Sequence, residues 1–315
     1  MKIPTLFIVV PCYNEEETLP ESNRQLCEYL NMMITAGRVS SDSRIMYVDD
    51  GSRDRTWTLI EDYNQKMELV TGVKLAANCG HQHALLAGLY TAKEHADIMV
   101  SIDADLQDDY HVIEDMVAQY MEGIDIVYGV RRKRDTDTWF KRFTAQSFYR
   151  VMSALGVKSV YNHADFRLMS RRAVEQLCRY RERNLFLRGL VPLIGYKTAC
   201  VYYDRKERMA GESKYPLKKM IQFAADGITS FSTYPLHLLF FTGLFFILVS
   251  LGILIWVVCR YSTNNVVPGW SSLMLSVWFV GGCILVGMGI LGEYIGKVYI
   301  EVKDRPRFNI EQVKL

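Results

Sequence analysis

The sequence predicts a doubly wound α/β protein with a mostly parallel sheet, followed by a membrane hairpin. Short runs rich in apolar and β-branched residues alternate with helical stretches, the pattern of successive βα units. Each run ends in a polar cluster, so the clusters converge on the carboxyl edge of the sheet, where open α/β sheets bind ligands. Near the C-terminus, Leu236 to Val258 and Trp270 to Gly292 are 23 residues each and contain no Asp, Glu, Lys or Arg. About 20 apolar residues cross a bilayer as a helix.

The elements follow in order. Leu6 to Val10 is a continuous apolar run, as expected of a central parallel strand. It stops at Pro11-Cys12-Tyr13-Asn14-Glu15-Glu16, and Thr18 to Leu30 reads as a helix. Arg44 to Val48 is a second strand, leading into Asp49-Asp50-Gly51-Ser52 and a helix from about Trp57. Val70 to Leu75 is a third strand, followed by Ala76 to His83 and a helix through His95. Ile98 to Ile102 is the fourth, ending in Asp103-Ala104-Asp105-Leu106-Gln107-Asp108, and Ile124 to Tyr128 the fifth. Pro216 to Ser232 sets Met220, Ile221, Phe223, Ile228 and Phe231 against Lys218, Lys219, Gln222 and Asp226, the pattern of a helix lying in a membrane interface.

These readings divide the 315 residues into a catalytic domain (1–214), an interfacial helix (215–233), a two-helix transmembrane hairpin (234–296) and a tail (297–315). Basic residues set the orientation. The loop between the spans carries only Arg260, whereas Lys214, Lys218 and Lys219 precede the first span and Lys297, Lys303, Arg305 and Arg307 follow the second. Both termini are therefore expected in the cytoplasm. The run before Pro11 is too short for a signal-peptide core. None of the seven cysteines forms a Cys-x-x-Cys pair, which suits reduced thiols in a cytosolic compartment. A net charge of +2 gives no sign of nucleic acid as a partner.

The polar clusters carry the chemistry. Asp103 and Asp105 lie two apart, so both can reach one small hard cation and the phosphate oxygens it carries. An Asp-x-Asp alone reads equally as a polar turn after a strand. Asp49 and Asp50 precede a glycine; acids at several strand ends suit a nucleotide whose ribose hydroxyls bond to carboxylates and whose phosphates arrive with a cation. Ser52 and Asp54 also fit a helix N-terminus. Asp165 and Arg167 would face the same way on a strand, as a site pair or an ordinary ion pair. Arg205, Lys206, Arg208, Gly211, Ser213 and Lys214 form a basic loop just before the membrane. It suits a phosphate at the bilayer surface or an anchor for anionic headgroups. Gly292 and Gly296 have small-xxx-small spacing, which permits packing within the hairpin or in a homo-oligomer.

Taken together, these segments resemble family-2 glycosyltransferases of the GT-A fold. Pro11-Cys12-Tyr13-Asn14-Glu15, Val48-Asp49-Asp50-Gly51-Ser52 and Asp103 to Asp108 match the general motifs. Asp165 to Arg171, Glu182 to Phe186, Gly227 to Thr233, Leu291 to Gly296 and Arg305-Pro306-Arg307 resemble a narrower subgroup, the polyprenyl-phosphate glycosyltransferases, most closely the bactoprenol glucosyltransferase type. The resemblance implies a UDP-sugar donor, a polyprenyl phosphate acceptor, Mg or Mn as the cation, inversion at the anomeric centre and a place in the bacterial plasma membrane, upstream of a flippase. It implies that Pro11, Tyr13, Glu15 and Asp50 hold the uracil and ribose. Asp105, with Asp103, would hold the metal, and Gln107 would lie beside the donor phosphates or sugar. Asp165 would be the catalytic base or a positioning group, and Arg205, Arg208, Ser213 and Lys214 would bind phosphates.

The chain departs from the subgroup in two places. Ala77-Asn78-Cys79-Gly80-His81-Gln82-His83 stands where an Arg-Asn-aromatic-Gly-Lys run is usual, and Ala164 replaces a glycine before Asp165. Two rivals remain. A processive polysaccharide synthase would carry a Gln-x-x-Arg-Trp motif and more spans, and neither is seen. A catalytically silent nucleotide-binding module, anchored beside a flippase or polymerase, is disfavoured by the intact acids.

Overall fold

The computed structural model describes residues 3–132, 163–183, 185–204, 236, 239–246, 248–249, 252, 255 and 269–315. The chain forms two compact units: one joins the N-terminal α/β region with residues 305–315, and the other contains residues 217–304.

The sheet is built around β1 (Leu6–Cys12), every residue of which is buried, as a strand covered on both faces must be. Helix α1 (Leu19–Thr35) carries Pro20 in its first turn, where the missing N–H has no partner to lose. It buries Leu19, Leu26, Leu30 and Met33 as one apolar stripe. Then come β2 (Arg44–Asp49), α2 (Thr56–Lys66), β3 (Val70–Leu75), α3 (His81–Ala92), β4 (Ile98–Ser101), α4 (Ile113–Met121) and β5 (Ile126–Arg131). Beyond the undescribed stretch lie β6 (His163–Ser170), α5 (Arg171–Arg179), the one-turn α6 (Leu187–Leu190) and β7 (Thr198–Tyr203). The second unit contributes α7 (Trp270–Val302), and the chain ends in β8 (Ile310–Lys314).

The eight strands form one sheet in the order β7-β5-β6-β4-β1-β2-β3-β8. Four neighbouring pairs are parallel: β1 with β2, β1 with β4, β2 with β3, and β5 with β7. The mostly parallel α/β sheet is therefore as predicted, with two antiparallel strands added. β6 enters between β4 and β5, and β8 lies against β3. β5 starts two residues later than predicted. α4 ends in a left-handed turn at Gly123 (φ +92°), and the Ile124 N–H is spent on the Gln119 carbonyl.

In the second unit, α7 starts at the predicted Trp270 but continues past Gly292 to Val302, 33 residues in all. Within it, Phe279–Val302 is long and apolar enough to cross a membrane, with mean hydropathy 1.6. Its apolar side chains are uncovered, Leu285 being 71% and Ile295 67% exposed. It is the one such helix among the described residues. Two spans were expected. Of the first, Leu236 to Val258, 13 of the 23 residues are described and all 13 are helical, whereas the interfacial helix Pro216 to Ser232 lies wholly outside the described residues.

Candidate active site

The carboxyl ends of β1, β2 and β4 meet at one edge. The loops after β1 and β2 are stitched together: the Asn14 N–H donates to Ser52 Oγ (3.0 Å), and the Arg53 N–H donates to Asn14 Oδ1 (2.9 Å). Further round, the Glu15 N–H donates to Thr56 Oγ1 (2.9 Å) and the Arg55 N–H to Glu16 Oε2 (3.1 Å). These contacts shape an open hollow of about 570 Å³ whose walls include Glu15, Glu16, Arg53 and Asp54. Pro11 is buried in register with Val48, and Tyr13 is 42% exposed. The Glu15 carboxylate accepts from the Thr18 hydroxyl.

Asp50 is 2% exposed and works first on the protein itself. Its Oδ1 accepts the Cys79 N–H (2.8 Å) and its Oδ2 the Gly80 N–H (2.9 Å). A carboxylate there also opposes the positive end of the α3 dipole. The turn so held comes very close to Gly51, where an added Cβ would lie 2.7 Å from the Asn78 nitrogen.

This turn delivers α3 to the next carboxylates. His81 Nε2 lies 3.5 Å from Asp103 Oδ1. The segment that departs from the subgroup pattern therefore still faces the acidic loop. In that loop Leu106 adopts φ +46°, and the Gln107 side chain and backbone donate to the two Asp105 oxygens at 2.8 and 3.3 Å. Asp103 keeps about half its side chain accessible (46%). Protein packed around it nonetheless raises its carboxyl to about 6; His81 opposes that rise, and Asp165, Asp108 and Asp105 add to it. Asp108 is different: it is 3% exposed and paired with Arg131 of β5 at 2.9 Å.

Asp165 arrives on β6. The antiparallel register pairs Ser101 with Arg167, and carried two residues further it sets Asp165 opposite Asp103. Ser101 Oγ donates to the Asp165 carbonyl (2.5 Å). Arg167 Nη2 donates to Asp165 Oδ1 (2.9 Å), and Arg188 reaches both carboxylate oxygens, at 3.2 and 3.0 Å. Burial alone would raise this carboxyl, but Arg188 and Arg167 outweigh it and hold Asp165 well below the ordinary range.

The structure thus brings Pro11, Tyr13, Glu15, Asp50, Asp103, Asp105, Gln107 and Asp165 to one edge. Arg205, Arg208, Ser213 and Lys214 lie outside the described residues. Sequence reasoning missed Arg188, Arg131 and the structural work of His81 and Gln82. An arginine inside the apolar stretch Leu185 to Val191 was the available signal for Arg188, because a charge there needs a partner.

Among the described residues no three His, Cys, Asp or Glu side chains converge as a ready metal cage. The donor set still suits a hard cation. Mg-type ions are commonly held by one or two carboxylates, with phosphates of the substrate completing the shell. Asp103 and Asp105 supply hard oxygens, and both are part-exposed at the cleft.

The family model for glycosyl transferase family 2 matches residues 7–178, the stretch that contains every one of these acids. The chain belongs to glycosyltransferase family 2. An uncharacterized glycosyltransferase of Bacillus subtilis (strain 168), YkoT, is 55% identical over 310 residues, covering 98% of this chain and 91% of that one. The SfII prophage-derived bactoprenol glucosyl transferase of Shigella flexneri is 38% identical over 309 residues, 97% of each chain. Among solved structures, the mannosyltransferase PcManGT from Pyrobaculum calidifontis, in complex with GDP-Man and Mn2+, has TM-score 0.51 at 15% identity. It covers 97% of this chain and 89% of that one, and it supports the shared GT-A fold. The protein is a glycosyltransferase, and the family assignment agrees with the motifs read from the sequence.

Proposed function

We propose that this glycosyltransferase moves a hexose, with glucose first in order, from a UDP-sugar to polyprenyl (undecaprenyl) phosphate, giving a polyprenyl phosphosugar for cell-surface polysaccharide modification. The observation that carries the reading is end-to-end similarity: relatives named bactoprenol glucosyl transferase match 97–98% of the chain, the acidic edge and the apolar helix α7 together. Such a helix, long and apolar with most of its described side chains exposed, suits lipid as its surroundings. We place the enzyme in the bacterial plasma membrane as a two-span protein, with catalytic domain and termini cytoplasmic. A homo-oligomer and a downstream flippase belong to the same proposal.

The nucleophile in this reaction is a phosphate oxygen. A phosphomonoester has its second pKa near about 6, so the acceptor is largely ionised at neutral pH and needs little help from a base. The harder tasks are to stabilise the departing diphosphate and to bring two anionic phosphates together. Asp105 and Asp103 would hold Mg or Mn, which when bound supplies charge to the leaving diphosphate. Gln107 steadies Asp105 through the 2.8 Å hydrogen bond. Glu15 lines the hollow after β1, and Pro11, Tyr13 and Asp50, at the same sheet edge, are proposed to hold the uracil and ribose with it. Arg205, Arg208, Ser213 and Lys214 are proposed to place the acceptor phosphate. Attack opposite the leaving group inverts the anomeric centre.

The test is a panel of UDP-sugars incubated with the purified enzyme, Mg or Mn, and undecaprenyl phosphate, with UDP release and glycolipid formation both measured. UDP-glucose is expected to give the fastest release. A faster rate with UDP-galactose or a UDP-N-acetylhexosamine would move the donor assignment. UDP binding without glycolipid from any donor would favour the silent module.

A further inference from the structure

Arg188 lies on α6, a single turn too short to hold itself in place. Two things fix it. Leu187 and Leu190 are buried to 1% and 0% exposure. The Leu187 N–H, an otherwise unpaired donor at the helix start, donates to Gln82 Oε1 at 2.8 Å. Gln82 follows His81, the residue that reaches Asp103, at the first turn of α3. A polar path thus runs from the Asp103 side of the cleft through α3 and α6 to Asp165. At its end the Arg188 fork meets the two Asp165 oxygens at 3.2 and 3.0 Å, while Arg167, 2% exposed, holds Oδ1 from β6 at 2.9 Å. Two-point Arg–carboxylate pairs fix orientation as well as charge.

We propose that Arg188 is the positioning residue of this site, gripping both oxygens of Asp165 while Gln82 sets the turn that carries it, so that Asp165 is held in one orientation toward the substrate. The inference rests on the glycosyl-transfer reading given above. Among the described residues the charged groups facing Asp165 include Arg188, Arg167, His81 and Asp103. The carboxylate so held can accept a hydrogen bond from a sugar hydroxyl.

The experiment compares Arg188→Ala, Arg188→Lys and Gln82→Ala with wild type, using UDP-glucose and undecaprenyl phosphate. Arg188→Ala is expected to lower kcat by about 100-fold with donor KM within about threefold. Arg188→Lys should restore part of kcat. Gln82→Ala should lower kcat by about fivefold in the same pattern. A readout without turnover accompanies these: UDP affinity by calorimetry should stay within about threefold of wild type in all three variants. Wild-type turnover judges the glycosyl-transfer reading, and the split between kcat and binding in the variants judges the positioning role apart from it. Wild-type kcat in Arg188→Ala, or a loss confined to KM or to UDP affinity, would overturn the inference. If Arg188→Ala does not fold, Arg188→Lys and Gln82→Ala decide by the same kcat and KM pattern.

Discussion

Arg131 donates to Asp108 Oδ1 through both Nε (3.2 Å) and Nη2 (2.9 Å), and so ties the end of the acidic loop to β5. The three acids of Asp103 to Asp108 therefore divide. Asp108 is a buried anchor, while Asp103 and Asp105 face the cleft. Asp108→Ala would leave a largely buried guanidinium without its carboxylate. For a fully buried pair that costs about 3–5 kcal/mol. Arg131 is 22% exposed, so roughly 2–4 kcal/mol is expected here. A clear drop in the Tm of purified Asp108→Ala, with a smaller drop for Asp108→Asn, is the expected result. An unchanged Tm would mean that Arg131 finds another partner.

Asp105→Ala should do the reverse. Asp105 accepts from Gln107 within its own loop and is part-exposed at the cleft, so its loss should lower the Tm less than Asp108→Ala does, by about 1 kcal/mol or under. UDP release should fall by a factor of 100 or more on the order of a lost charge-stabilising group. Chelation of wild type should produce the same loss, reversed by Mg or Mn, while the chelated Asp105→Ala enzyme should not respond. Substantial turnover in Asp105→Ala would remove this residue from the metal assignment.

Much of this was legible in the sequence because it depends on local pattern. The apolar runs that became β1 to β4 are buried on both faces, and each ends in its polar cluster for the topological reason that parallel strands share one carboxyl edge. Asp103 and Asp165 could each be named, but their meeting could not, because it depends on the antiparallel register of β4 with β6. Arg188 was hidden for a similar reason: its partner is 23 residues away across a turn that carries no periodic signal. Ile310–Lys314 alternates too weakly to stand out as a strand, and only the uncovered edge of β3 gives it a place. Asp50 was read as a ligand contact, and its bonds to Cys79 and Gly80 became visible only once the fold was in hand.

Asp125 offers a check by pH. Its side chain is 5% exposed at the start of β5 and accepts from Arg172 and from Ser170 Oγ (2.9 Å). Hydrogen bonds from Arg172, against the opposing effect of burial and with help from Ser170, hold its carboxyl below the ordinary range. A depressed folded-state pKa contributes stability that is present above the unfolded value, near about 4, and is lost as pH falls through the folded value. Asp125→Asn should therefore have a lower Tm than wild type near neutrality. The gap should narrow as pH drops below about 4. A gap constant with pH would assign the loss to packing, not charge.

Gly51→Ala tests the contact between the β2 loop and the turn before α3. Gly51 has φ +64°, and an added Cβ would lie 2.7 Å from Asn78 N and 2.8 Å from Ala77 C, both backbone atoms that cannot swing aside. A left-handed alanine costs about 1–2 kcal/mol before any clash, and overpacking adds a further 1–3. The turn that must move is the one bonded to Asp50. Gly51→Ala should therefore lose both Tm and UDP affinity by calorimetry, whereas an alanine at Gly37, where nothing lies within 4 Å, should lose only the backbone part of the stability and no UDP affinity.

Removal of residues 309–315 tests β8. This strand covers β3 through the pairs Val73 with Val313 and Lys74 with Gln312, and Lys74 also pairs with Glu311 at 3.1 Å. Without it, β3 becomes an open edge with free N–H and C=O groups, a template for pairing with other chains. The Ala76 N–H also loses the Asn309 carbonyl (2.9 Å). Ala76 is the residue that leads into the Asp50-bound turn, so the damage should reach the donor side of the cleft. The truncated enzyme is expected to aggregate on size-exclusion chromatography and, in its dispersed fraction, to bind UDP more weakly. Glu311→Lys, which reverses one charge but leaves the ladder, should keep the wild-type elution and UDP affinity. A truncated protein that stays dispersed with wild-type Tm would show that the β3 edge is protected by something other than β8.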